Sequence, residues 1–189
     1  MVIAASSINE PITSKDSNDH KEIIQCLTLE QLFIWSLKEL YFTQDSFVSL
    51  LKEIEATAIT PELKETFEDY QYQAQKHLIR LEKVFRIIQT QPEQKKCNGA
   101  EGIINKVQRM IRTCHEKSVI LDMALIIATQ QLLHYQTACH NGLIEMSMTM
   151  KEQKITDLLE KNFFEEERSI DYLRKIAKYS INFDILRQA

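Results

Sequence analysis

Glycine and proline are nearly missing: the 189 residues contain three of each. These residues punctuate turns and break helices, so their scarcity excludes a loop-rich architecture and fits long helices with short connections. No segment alternates apolar and polar residues with period two, and no strand is expected. Cysteine is sparse and dispersed. Cys26, Cys97, Cys114 and Cys139 include no CxxC pair, which excludes zinc-ribbon and disulfide-scaffold readings. Cys114-His115 and Cys139-His140 look like metal pairs, but adjacent helical residues point in different directions. The thiols read as reduced, mostly structural residues of a cytoplasmic protein. Basic clusters are absent as well. Twenty-three Lys and Arg against 27 Asp and Glu give a net charge of −4, with no basic face for nucleic acid and no basic membrane-surface helix. A Gly-rich phosphate loop, a nucleophile elbow and HExxH are all missing.

What is present is organised around Asp122–Met150. From Asp122 to Gly142 this stretch has no Lys, Arg or Glu, and it is apolar on nearly all sides. It is long enough to cross a membrane, but Gln130, Gln131, His134, Gln136 and His140 argue against a span. The expectation is the buried central helix of a soluble bundle, closed by Met146, Met148 and Met150 as packing residues. The first 22 residues have no basic leader region and a short apolar run; they read as an unstructured arm. Residues 23–189 read as one helical domain.

Four long helices follow from the apolar spacing. The first runs from about Thr28, a plausible cap, to Ala56. Its stripe is Phe33, Leu37, Leu40, Gln44, Phe47 and Leu51, spaced as a coiled-coil seam broken once by Gln44. Thr60-Pro61-Glu62 restarts a second helix, which reaches about Gln89 with the stripe Phe67, Tyr70, Ala74, His77, Leu81, Val84 and Ile88. A loop over 90–99 and a short helix over 100–114 carry the chain back along the bundle. The third helix begins near Ser118. The fourth, about 152–178, presents Ile155, Leu159, Asn162, Glu166, Ser169, Leu173 and Ile176. Two antiparallel hairpins joined by one long crossover are the ferritin-like way to connect four helices.

The stripes are interrupted at one level. Gln44, Gln75, His77, His134, Gln136 and Glu166 fall near the midpoints of their helices, with Glu165 beside Glu166. Antiparallel helices of similar length should bring these groups into one polar layer. Such a layer either fixes helix register through hydrogen bonds or binds metal. Di-iron bundles need several carboxylates to neutralise and bridge two ions. Three neutral glutamines do not replace three glutamates.

These residues carry a resemblance. The first helix with its leucine-rich opening, TPELKETF at 60–67, RLEKVF at 80–85, Cys97 with EGII at 101–104, and ALIIATQQLLHYQTA at 124–138 are similar in order to the YciE/YciF family of bacterial ferritin-like stress proteins. The resemblance covers about 27–177. It implies an all-α, ferritin-like four-helix bundle with a crossover helix, a homodimer and a ferroxidase-type di-metal centre. Gln44 and Gln75 stand where the family pattern has acids. Leu133 and Gln136 flank a retained His134, Glu165 and Glu166 match, and Ile170 replaces an acid.

The expected function is therefore non-catalytic: a structural or interaction protein whose di-metal site is lost, with no cofactor. The alternative is an iron protein with oxidase-type chemistry, using His77, His134 and Glu166 as a two-histidine, one-carboxylate site.

Overall fold

The computed structural model describes residues 28–114 and 116–181. The arm over 1–22, Cys26, His115 and the end of the chain beyond 181 lie outside the described residues. Among the described residues five α-helices are formed: α1 (Leu29–Thr57), α2 (Pro61–Ile87), α3 (Asn98–Thr113), α4 (Val119–Thr149) and α5 (Gln153–Ile176). A π-helical turn, Ala177–Ile181, follows α5.

Local chemistry sets the boundaries. Thr28 and Gln31 form a reciprocal capping box at the start of α1. Pro61 occupies the first turn of α2. Its free amides at Ile59 and Thr60 donate to the buried carboxylate of Asp122, at 3.1 and 2.8 Å, so the first turn of α4 caps the start of α2. Ser118 caps α4 itself through the Leu121 amide. Helix α2 stops two residues short of the expected Gln89, because that residue is left-handed at φ 56°. Its amide bonds to the Arg86 carbonyl, and the Thr90 amide bonds to Phe85. Lys151, at φ 62°, ends α4 in the same way, with Lys151 bonded to Met148 and Glu152 to Ser147. Both are Schellman closures built without the usual glycine.

Helix α1 packs on α2 and α4, α5 packs on α4 and α2, and α3 covers α1 and α4. Neighbouring long helices run antiparallel around the ring, the ferritin-like arrangement. Two apolar clusters fill the interior. One holds Phe47, Ile54, Phe67, Leu125 and Leu173; the other holds Phe33, Leu40, Leu81, Leu143 and Leu159. The crossover is strapped to α1 by the Lys38–Glu93 ion pair and by Lys95 N–H to the Lys38 carbonyl, 3.2 Å. The Cys97 thiol and the Tyr135 hydroxyl lie 2.8 Å apart where α3 begins.

Helix α4 departs from expectation. It is buried against three neighbours but not on all sides: Ile120 is 62% and Ile127 48% exposed, on a face that α1, α3 and α5 leave open. Among the described residues no helix is long and apolar enough to cross a membrane.

Candidate functional site

The two apolar clusters are separated by a polar waist. On α1 it holds Gln44, on α2 His77 and Arg80, on α4 Gln136 and His140, and on α5 Asn162, Glu165 and Glu166. Gln44, His77, Gln136, His140, Asn162 and Glu166 are each at most 2% exposed. Every hydrophobic stripe changes cluster on crossing this level.

Five of the seven residues expected here arrive: Gln44, His77, Gln136, Glu165 and Glu166. Gln75 and His134 do not; both are exposed. Residue 75 stands next to the buried Ala74 and points outward, because a 3.6-residue turn allows only every third or fourth position on the inner face. The same rotation puts Gln136 and His140, four residues apart, inside α4 and His134 outside. His140, Asn162 and Arg80 are members that sequence reasoning missed. His140 follows Gln136 at helical spacing and Asn162 lies four residues before Glu166, so the periodicity carried both.

The glutamines close on each other. Gln136 Nε2 donates to Gln44 Oε1 at 2.8 Å, and Gln44 Nε2 donates to the Ala74 carbonyl at 3.4 Å. Arg80 grips Glu165 with both guanidinium nitrogens, at 2.6 and 3.1 Å, and donates to Asn162 Oδ1 at 2.8 Å. His77 stands between the two carboxylates. Its Nε2 lies 3.0 Å from Glu165 and its Nδ1 3.6 Å from Glu166. On the far side, His140 Nδ1 donates to the Gln136 carbonyl at 3.0 Å and lies 3.0 Å from Glu166 Oε2. That last contact is at ion-pair distance, yet neither Glu166 oxygen accepts a well-angled hydrogen bond. A cavity of about 10 Å³, lined by Gln44, Gln73, His77 and Ser169, lies against this carboxylate and has room for one water-sized sphere.

The electrostatics follow from the contacts. Burial opposes charging His77, but the hydrogen bond to Glu165 and the close negative charges of Glu166 and Glu165 outweigh it and raise its pKa. The His77 hydrogen bond, then Arg80, hold Glu165 at about 2 against burial. Burial pushes Glu166 upward, and the charges of His140 and His77 outweigh it, leaving its pKa lowered. Two carboxylates are thus faced by a guanidinium and a histidine that favours its charged form.

A pair of metal ions does not fit these residues. Glu165 is taken by Arg80, Gln44 Oε1 accepts from Gln136, and two ions 3.5–4 Å apart need more space than the cavity offers, although Gln136 Oε1 has no hydrogen-bond partner. Among the described residues, no group of three or more His, Cys, Asp or Glu side chains is arranged to hold a metal ion.

Known proteins bear on the family. Residues 28–185 match the family described as a domain of unknown function, DUF892. Protein YciF of Escherichia coli (strain K12) is 25% identical over 159 residues, spanning 82% of this chain and 92% of YciF. The solved structure of that E. coli stress protein superposes with a TM-score of 0.78 at 24% identity, covering 82% and 98% of the two chains. YcfI from Rhodopseudomonas palustris superposes with a TM-score of 0.76 at 23% identity, covering 79% and 95%. On its family match, its ordered motifs and its fold, this chain belongs to the DUF892 family, the YciE/YciF group of ferritin-like proteins.

Proposed function

We propose that this protein is a stress-associated, ferritin-like scaffold that acts by association, as a homodimer, in the bacterial cytoplasm. In this reading the waist is a structural lock and not a ferroxidase centre. One observation carries it: Arg80 and His77 stand against the two waist carboxylates, doing electrostatically what bound cations would otherwise have to do. Buried acids without such partners would be costly, and amides at Gln44 and Gln136 keep the hydrogen bonding while adding no charge. The naming of E. coli YciF as a stress protein supports the stress association.

The test is elemental analysis after anaerobic incubation with excess Fe(II) and desalting, paired with thermal unfolding with and without iron. The expected result is no stoichiometric iron and an unchanged midpoint, because only a ligand that binds the native state raises it. Two irons per chain would overturn the reading.

A second reading is favoured by the oxygens of Glu166, which accept no well-angled hydrogen bond and lie beside the small cavity. A single iron would draw on Glu166 with His77 and His140, which are not arranged around an ion as they stand and would have to shift to bind one; His134 is exposed. One iron per chain, lost in a folded Glu166→Gln variant, would select it.

A further inference from the structure

Beside the crossover, one phenol stands against two thiols. Cys97 is the residue that leads into α3, and its Sγ lies 2.8 Å from Tyr135 Oη. Cys139 follows Tyr135 by four residues, one turn along the same face of α4. It is close enough for the Tyr135 hydroxyl and the Cys97 sulfur to act on its own thiol. Cys97 packs with one apolar cluster and Cys139 with the other, so the three groups sit where the clusters meet. The close approach of α3 depends on a glycine. A Cβ on Gly99 would come within 3.2 Å of the Tyr135 ring and 3.4 Å of its hydroxyl, so its absence lets the first turn of α3 lie against the phenol. Both thiols are free; Cys97 is 5% exposed and Cys139 is half-buried. None of the three side chains takes part in the waist.

We propose that Cys97 and Cys139 are a redox-active pair, which a peroxide joins into a disulfide that pins the start of α3 to α4. The proposal is independent of the reading of the waist. Exposure sets the order of events. Cys139 is the more accessible thiol and meets the oxidant first. Its thiolate sulfur attacks one peroxide oxygen and the O–O bond breaks. The departing hydroxide takes up a proton as water, and Cys139 is left as a sulfenic acid. The Cys97 sulfur then attacks the Cys139 sulfur. The S–S bond forms as the S–O bond breaks, and the hydroxyl leaves as a second water with the Cys97 proton. Two thiols have lost two electrons and two protons, and one peroxide has become two waters. Tyr135, itself half-buried, moves out from between the sulfurs as they join. Exchange with a small cellular thiol reverses the bond. The surroundings also set the rate. Burial pushes the Cys139 thiol up to about 11, while the Tyr135 hydroxyl works the other way by favouring the thiolate. Thiolate is therefore scarce at neutral pH, and the pair answers to high peroxide and stays reduced at resting levels. Tyr135 acts here as a positioning residue.

The experiment treats the full chain, carrying Cys26→Ser and Cys114→Ser, with millimolar hydrogen peroxide. Remaining thiols are then alkylated and the peptides mapped by mass spectrometry, with far-UV circular dichroism confirming the fold. The expected result is joint loss of both thiols and a Cys97–Cys139 link within one chain, reversed by dithiothreitol. Its rate should climb about tenfold per pH unit between about pH 7 and 9, following the thiolate. Tyr135→Phe removes a group that favours the thiolate and should slow the reaction at least about threefold across that range. Cys97→Ser should strand Cys139 as a sulfenic acid that dimedone traps. Oxidation of Cys139 to a sulfinic acid with Cys97 intact overturns the pairing, as does a link found only between separate chains. Both thiols surviving millimolar peroxide at about pH 9 overturns the reactivity. Should Cys97→Ser fail to fold, the peptide map and pH profile of the intact pair decide between these outcomes.

Discussion

At the scale of single residues, Arg80 matters most to the waist. It supplies a fixed positive charge to Glu165, one-fifth exposed, and satisfies Asn162, which is fully buried. Arg80→Met should remove both contacts while keeping most of the packing, leaving Glu165 with His77 alone. Breaking a buried pair costs about 3–5 kcal/mol; with partial exposure of Glu165 the loss should be about 2–3 kcal/mol in urea unfolding. A loss below about 0.5 kcal/mol would mean that His77 balances the carboxylates unaided. The sequence made part of this arrangement legible, because Gln44, His77, Gln136 and Glu166 interrupt apolar stripes and an interrupted stripe still points inward. Arg80 was not legible. It lies three residues after His77 on the flank, and arginines in that position usually reach water with an apolar stem along the surface. His134 misled through its place near the midpoint of α4: a midpoint sets the level of a side chain but not its direction.

At the scale of elements, the helices were readable almost to the residue. Thr28, Thr60-Pro61 and Ser118 announce their starts by cap chemistry. The ends were less readable, since α2 and α4 close on Gln89 and Lys151, residues that do not announce a left-handed backbone. This is where the scarcity of glycine has a measurable effect. An L-residue in the left-handed region is disfavoured by roughly 1 kcal/mol relative to glycine. Lys151→Gly, with the Schellman bonds of α4 already in place, should therefore stabilise the protein by about 0.5–1 kcal/mol, a gain of a few degrees or less in thermal midpoint. A drop in midpoint would show that the Lys151 side chain contributes more than its backbone strain costs. The open side of α4 was hidden for a related reason. Composition reports that a face avoids charge, but not whether the chain's own helices or another molecule cover it.

At the scale of the whole molecule, global stability should report the waist through pH. Glu165 is held at about 2 in the folded protein against an ordinary 4.5, so its stabilisation is complete above pH 4.5 and fades as pH falls through that value toward 2. Glu166, also lowered, acts in the same direction. His77 is raised above 6.5, so its contribution is complete below pH 6.5 and is lost as pH rises through its folded pKa. Thermal midpoints should therefore peak between about pH 4.5 and 6.5, and His77→Gln should flatten the alkaline side of the curve. An alkaline decline of equal size in that variant would place its origin elsewhere. The waist also divides most of its charges by hairpin. Arg80 and His77 belong to α1–α2, and both carboxylates belong to α4–α5, where His140 is the one basic partner on their own side. During synthesis the first hairpin emerges with a positive inner face that nothing yet neutralises. It gains its partner, and the Asp122 cap on its second helix, only after the second hairpin has been made. The two halves thus carry opposite charge at a single level, and a docking slipped by one turn would set Glu166 against Ala74 or Leu81 in place of His77. The charges of the waist in this way disfavour a slipped alignment of the two hairpins.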